Sequence, residues 1–336
     1  MKNRKIFAVL LVIALVLTTA VGCGGGGQNN GGQPSDQPKQ IDFPTKAIDM
    51  TILFGAGAGA DVMGRTLADL VSKDLGQPVV CNNRVGGGGA VGYQYVLNTP
   101  ADGYNIVWNS TSVSVCYYQG NMDKPYSAFR GVANITQEAV ALAVRADDNR
   151  FNTIEEFIAY AKEHPGELTV ANSGVGSFNH LMAIAIANVA GIDVKHIPMD
   201  AKQSTTSLLG GQVDAIVNMA FDIVQQQEAG TMKALVVVAP NRLDKLPNVP
   251  TMKEKGYDLD LMMYRGIAVP KDTPDEVVKI LEEAFMKAGQ SAEFKEFAEK
   301  FGAIVDVRGA AEFDALMADN DKIVAELMES AGIKKQ

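Results

Sequence analysis

Ile48-Asp49-Met50-Thr51-Ile52-Leu53-Phe54, followed by Gly55-Ala56-Gly57-Ala58-Gly59-Ala60-Asp61, is the stretch on which the fold turns. Residues 48–54 form an apolar run of strand length. From Asp61 to Leu75 the apolar residues Val62, Leu67, Leu70, Val71 and Leu75 fall at helical spacing. Between strand and helix stands a turn made almost wholly of Gly and Ala. Strand, glycine-rich turn and helix together open an α/β fold. In open α/β sheets, ligands sit outside the carboxyl ends of strands, where strand order reverses. Phe54, Ala56, Gly57, Ala58, Gly59, Ala60 and Asp61 are therefore candidate ligand-binding residues. Small side chains let the backbone approach a ligand closely. The unpaired N–H groups of a helix start, with the positive end of its dipole, suit an anion.

Working outward, the alternation continues. Strands are expected at Pro78–Asn82, Tyr104–Trp108, Ala139–Val144, Leu168–Ala171, Val194–Ile197, Ala215–Val217, Ala234–Val238 and Leu261–Val269. Helices are expected at Gly88–Leu97, Thr153–Glu163, Phe178–Val189, Thr205–Leu209, Asp275–Ala288, Ala292–Phe301 and Ala310–Ser330. Thr153 with Glu156 three residues on has the form of a capping box. Ala139–Val144 and Leu261–Val269 are the two expected crossings between lobes, which implies a hinge and a cleft. The lobes are expected at 43–142 plus 263–336 and at 143–262. A second glycine-rich loop, Asn172-Ser173-Gly174-Val175-Gly176-Ser177, precedes the helix that holds His180. It offers the chemistry of the first loop from the opposite lobe, so the two could clamp a carboxylate through backbone N–H groups.

The N-terminus speaks to compartment. Lys2, Arg4 and Lys5 precede twelve apolar residues, Ile6 to Leu17. That run is shorter than the roughly 20 residues of a spanning helix and has the size of a signal-peptide core. Small residues then lead to Cys23, in the manner of a lipoprotein lipobox, so Cys23 is the expected lipidation site. An ordinary signal cleaved near Gly22 is the alternative. Residues 23–42, rich in Gly, Gln and Asn, have little apolar surface to bury and are expected to form a disordered tether. Cys81 and Cys116 leave two readings open, a disulfide or buried thiols.

Charge and motifs exclude other classes. The chain holds 30 Lys and Arg, and without Lys2, Arg4 and Lys5 there remain 27 against 39 Asp and Glu. An acidic surface argues against nucleic acid. Gly55-x-Gly57-x-x-Ala60 has the loose shape of a dinucleotide fingerprint. The second strand, however, ends in Asn82-Asn83-Arg84, without the acid that would hold a ribose. There is no Gly-x-x-x-x-Gly-Lys-Ser/Thr loop. Ser177 and His180 stand one helical turn apart, but without the nucleophile elbow of a secreted hydrolase. They read as a helix cap and a ligand contact. His164, His180 and His196 match no metal spacing, and no cofactor is expected. The chain reads as a binding protein, not an enzyme.

Motifs from Phe43 to about Met328 resemble, in order, the receptors of tripartite tricarboxylate transporters, the Bug family. They include Phe43-Pro44-x-Lys46, the 54–61 loop, Leu75-Gly76-Gln77-Pro78, Asn83-Arg84-x-Gly86-x-Gly88-Gly89 and Ala101-Asp102-Gly103-Tyr104. Further along stand Ser173-Gly174-x-Gly176-Ser177-x-x-His180, His196-x-Pro198, Leu209-Gly210-Gly211-Gln212-Val213-Asp214 and Leu246-Pro247-x-Val249-Pro250-Thr251. The resemblance implies a type II periplasmic-binding-protein fold, each lobe a mostly parallel sheet flanked by helices. It implies a small carboxylate ligand, and a small and a large membrane subunit as partners. It carries a binding role onto Ser173, Gly174, Gly176, Ser177 and His180, and adds Ser110, Thr111 and Ser112 after the third strand. The chain departs from the family at Met199-Asp200-Ala201, where Tyr-Lys-Gly is usual, and at Asp222, where a small residue is common. Met199, Asp200 and Asp222 thus join the candidates, with Asp200 or Asp222 placed to meet a ligand amino group. The expected product is a monomeric lipoprotein on the outer face of the cytoplasmic membrane. A ligand-sensing or interaction-only lipoprotein is the alternative.

Overall fold

The structure, a computed structural model, describes residues 41–330 apart from Gly176 and Asp200. The signal segment, Cys23 and the tether up to residue 40 lie outside the described residues.

The opening stretch folds as a strand and a helix. β1 (Ile48–Ile52) is buried along nearly its whole length, as a strand covered on both faces must be. α1 (Gly59–Leu75) turns Met63, Leu67 and Val71 toward it. Gly64 lets the helix come close, since an added Cβ would lie 2.8 Å from Ile52 and 3.2 Å from Trp108. The helix stops at Gly76, whose φ of 66° and N–H bond to the Ser72 carbonyl make a left-handed cap that glycine adopts without strain.

β2 (Val79–Asn83), α2 (Ala90–Leu97), β3 (Asn105–Ser110), α3 (Ser112–Tyr118) and β4 (Phe129–Glu138) follow. Only Ala139 separates β4 from β5 (Val140–Arg145), and there the chain passes from one sheet to the other. The second lobe continues with α4 (Ile154–Glu163), β6 (Thr169–Ser173), α5 (Phe178–Ala190) and β7 (Lys195–Met199). It ends with α6 (Ala201–Leu209), β8 (Ala215–Met219), α7 (Ala220–Glu228) and β9 (Met232–Val238). The chain returns through β10 (Met263–Pro270) to α8 (Asp275–Gln290), α9 (Ala292–Lys300), β11 (Ile304–Arg308) and α10 (Ala310–Ser330).

The first sheet has the order β11-β4-β10-β3-β1-β2 and the second β7-β6-β8-β5-β9. β1 pairs in parallel with β2 and β3, and β6 with β7 and β8. β10 runs antiparallel to β3 and β4, and β5 to β8 and β9. Both sheets are thus mixed, and the strands that carry the chain across, β5 and β10, are antiparallel to both neighbours. In each sheet the first strand of a parallel trio sits in the middle, so strand order reverses beside β1 and beside β6. These are the switch points at which α/β sheets bind ligands.

Each lobe has its own core. Ile48, Met50, Trp108 and Phe285 anchor the first, and Phe151, Phe157 and Phe178 the second. Each such fully buried side chain contributes about 1.5–3 kcal/mol. Val115 of α3 and Val324 and Met328 of α10 reach into the second core, joining the lobes. Four elements, α3, β4, α7 and β11, have no counterpart among the expected ones. The α3 sequence, Ser-Val-Ser-Val-Cys-Tyr-Tyr, has the residues of a strand. It is helical because Val113, Val115 and Cys116 must all be buried. Cys81 and Cys116 are free, and burial pushes their thiols up to about 11 and about 12.

Candidate functional site

The loop between β1 and α1 lies at the first switch point. Gly55, Ala56, Gly57 and Ala58 are exposed, Phe54 and Gly59 half-buried, and Ala60 and Asp61 buried. Asp61 organises the loop from beneath. Its Oδ2 accepts the Gly57 N–H at 2.9 Å. Its Oδ1 accepts Arg65 Nε at 2.9 Å and Asn83 Nδ2 at 2.8 Å. Asn83 Nδ2 also reaches the Phe54 carbonyl at 2.8 Å. Burial pushes the Asp61 carboxyl up, but the bonds from Arg65, Gly57 and Asn83 outweigh it and hold it below its ordinary value. Asp61 and Gly57 are thereby engaged with each other. Gly59 and Ala60 stand in the first turn of α1, where N–H groups have no intrahelical acceptor, and Ala58 adds no side-chain cap.

At the end of the adjacent strand β3, Ser110, Thr111 and Ser112 are all buried. Thr111 Oγ1 donates to Asn320 Oδ1 at 3.1 Å and accepts the Tyr264 N–H at 3.2 Å, tying this corner to α10 and β10. Ser110 Oγ accepts the Ser112 N–H at 3.3 Å. Ser112 Oγ is buried with no partner among the described residues.

The second switch point carries Ser173, Gly174, Ser177 and His180. Ser177 caps α5 by accepting the His180 N–H at 3.1 Å and donates to the Ser173 carbonyl. Asn179 Nδ2 donates to Ser173 Oγ. The Gly174 N–H goes to the carbonyl of Met199, which stands beside Ser173 in register. The His180 ring lies 6.2 Å from that of His196. Burial, and then the neighbouring His196, push its pKa below the ordinary histidine value. Asp222 opens α7, beyond the adjacent strand β8. Gly176 and Asp200 lie outside the described residues.

One contact joins the two sets. Phe221, from the second lobe, lies against Gly59 of the first, so close that a Cβ on Gly59 would stand 2.4 Å from its Cζ. The candidates thus gather at the carboxyl ends of β1 and β3 on one side, and of β6, β7 and β8 on the other.

Residues 63–333 match the model of the tripartite tricarboxylate transporter family receptor, TctC. The chain belongs to that family. The UPF0065 protein in the gbd 5′ region of Cupriavidus necator is 30% identical over 301 residues, 89% of this chain and 91% of the relative. A TctC solute-binding protein from Polaromonas superposes with a TM-score of 0.72 at 31% identity, covering 85% of this chain and 99% of that one. MatC from Rhodopseudomonas palustris with bound malate shares the fold, with a TM-score of 0.77 at 23% identity over 86% of this chain and all of that one.

Within this TctC receptor several site residues escaped the sequence reading. Asn83 stands in the sequence reading as part of a family motif and as a position lacking a ribose-binding acid, yet it pins the first loop through Phe54 and Asp61. Glu138 and Arg265, 3% and 4% exposed at the side chain, form an ion pair where the strands pass between lobes. Arg265 Nη1 is buried without a partner among the described residues. Asp222 has no hydrogen bond or ion pair within the described residues. Burial, with the charge of Glu138, pushes its carboxyl up to about 7. An acid standing alone between apolar stretches was visible in the sequence, but its approach to Glu138 was not. No group of three or more His, Cys, Asp or Glu among the described residues could hold a metal ion. No helix among them is long and apolar enough to cross a membrane.

Proposed function

We propose that this receptor is exported, anchored through a lipid on Cys23, and captures a small carboxylate between its lobes for delivery to a tripartite transporter. The observation that carries this reading is the Phe221–Gly59 contact, which brings the start of α7 in the second lobe against the first turn of α1. Gly59 and Ala60 then hold the carboxylate by backbone donors, backed by the helix dipole. Phe54, Ala56, Gly57, Ala58 and Asp61 shape that loop. Ser110, Thr111 and Ser112 line the floor, and Ser173, Gly174, Ser177, His180 and Met199 close from the other side. No cationic side chain is needed, as an acidic chain with a backbone anion site would have it. MatC, which shares the fold and holds malate, supports a carboxylate as the class.

Asp222 favours one refinement. A carboxyl at the start of α7 with no hydrogen bond or ion pair among the described residues complements an ammonium group, as Asp200 would, so the ligand is an amino-acid-like zwitterion.

The test is thermal unfolding of the purified protein against dicarboxylates, hydroxy acids, aromatic acids and amino acids. Binding to the native state alone stabilises by about 2.7 kcal/mol at a hundredfold excess over Kd. A shift confined to one acid class establishes the reading and names the substrate. A flat response across the panel removes it. Unchanged affinity in both Asp200→Ala and Asp222→Ala would end the zwitterion refinement alone.

A further inference from the structure

We propose that Phe221 is the latch that holds the lobes together, and that Gly59 is a glycine in order to receive it. The proposal rests on the solute-capture reading for its purpose but not for its geometry. Phe221 follows β8 of the second lobe. Phe221 stands in a slot of first-lobe residues, between the start of α1 and the end of α9. On one side is Gly59, where a Cβ would meet Cζ at 2.4 Å and Cε2 at 2.9 Å. On the other is Gly302, whose added Cβ would lie 3.5 Å from Phe221 Cβ. Phe301 completes the slot, its ring edge-on at 6.1 Å and itself packed on Phe297 at 4.7 Å. Gly59 and Gly302, both of the first lobe, thus flank Phe221 at its ring tip and at its Cβ.

The two glycines are there for different reasons. Gly302 has φ 65° and ends α9, a position that favours glycine whatever surrounds it. Gly59 has no left-handed backbone to favour glycine, and alanine is the better helix former. Room for the Phe221 ring is the constraint that remains.

The test is a double-mutant cycle read by distance. Spin labels at Asp69→Cys on α1 and Lys162→Cys on α4, both exposed, report the separation of the lobes without any added solute. Gly59→Ala is expected to produce a longer-distance population, as is Phe221→Ala. In the Phe221→Ala background, Gly59→Ala is expected to change nothing further, because there is no ring left to displace. Malate, citrate and glutamate then serve as probes, and whichever shifts melting of the wild type should bind about tenfold more weakly to Gly59→Ala. An unchanged distance in Gly59→Ala, or an equal widening in both backgrounds, overturns the latch. A wild type that binds none of the panel overturns the capture reading and leaves the distance cycle to decide the latch on its own.

Discussion

The guanidinium of Arg265 grips the carboxylate of Glu138 through two bonds, 2.7 Å from Nε and 2.9 Å from Nη2, inside the strands that join the lobes. Glu138 is the last residue of β4, one step before the sheet changes at Ala139. Arg265 lies on the returning strand β10, opposite Thr136 and Ser110. The pair therefore bonds the outgoing crossing to the returning one. Breaking one side of such a buried pair leaves an uncompensated charge. Arg265→Met and Glu138→Gln are each expected to lower stability by about 3–5 kcal/mol. Arg265→Met with Glu138→Leu should recover most of that, because it removes both charges. Urea unfolding of the four proteins checks the cycle. Equal losses in the single and double variants would show that shape, not charge, matters here.

Asp222 predicts a pH dependence. Its carboxyl is raised from an ordinary 3.8 to about 7 in the folded chain. Between those values the folded state holds a proton that the unfolded state has released. Its contribution to stability is complete below about pH 4, is lost as pH rises toward 7, and is flat above. Asp222→Asn should flatten this part of the profile and stabilise the protein at pH 7.5 by about 1–3 kcal/mol. Thermal melts of both proteins from pH 4.5 to 8 read the difference. Parallel profiles would contradict the shift.

Asp61 predicts the opposite sign. Its carboxyl is held below the ordinary value, so its contribution is present above pH 4 and is lost as pH falls further. Asp61→Ala removes the acceptor of the Gly57 N–H and one of the two acceptors of Asn83 Nδ2, and should lower stability by about 1–3 kcal/mol. It should also loosen the 54–61 loop. Amide exchange at Gly57 checks this, with faster exchange in the variant as the expected result.

Thr153 is the simplest case. Its side chain accepts the Glu156 N–H at 3.2 Å, while Glu156 Oε2 reaches back to the Asn152 N–H at 2.6 Å. The reciprocal bond thus lands one residue earlier than in the usual capping box. Thr153→Ala should cost about 1 kcal/mol, visible as a lower urea midpoint with an unchanged slope.

Much of this architecture was legible in the chain because its signals are local. The apolar run 48–54, the helical spacing of Val62, Leu67, Leu70, Val71 and Leu75, and Thr153 as a cap each act within a few residues. Alternation of strand and helix then implies switch points, and the glycine-rich turns mark where they fall. The family motifs are local in the same sense, which is why they identify the receptor without a structure. Tertiary packing decided the rest. Residues 112–118 are helical against their propensity because both faces are buried. Asp61 became a loop organiser only because folding brought Asn83, 22 positions away, within 2.8 Å. The Glu138–Arg265 bond spans 127 positions, and no pattern in the sequence announces it. Phe221 meets Gly59 only because the chain crosses between sheets twice. Hydrophobic period and turn chemistry are properties of neighbours along the chain, whereas desolvation, charge pairing and interlobe contact depend on which distant residues share a volume.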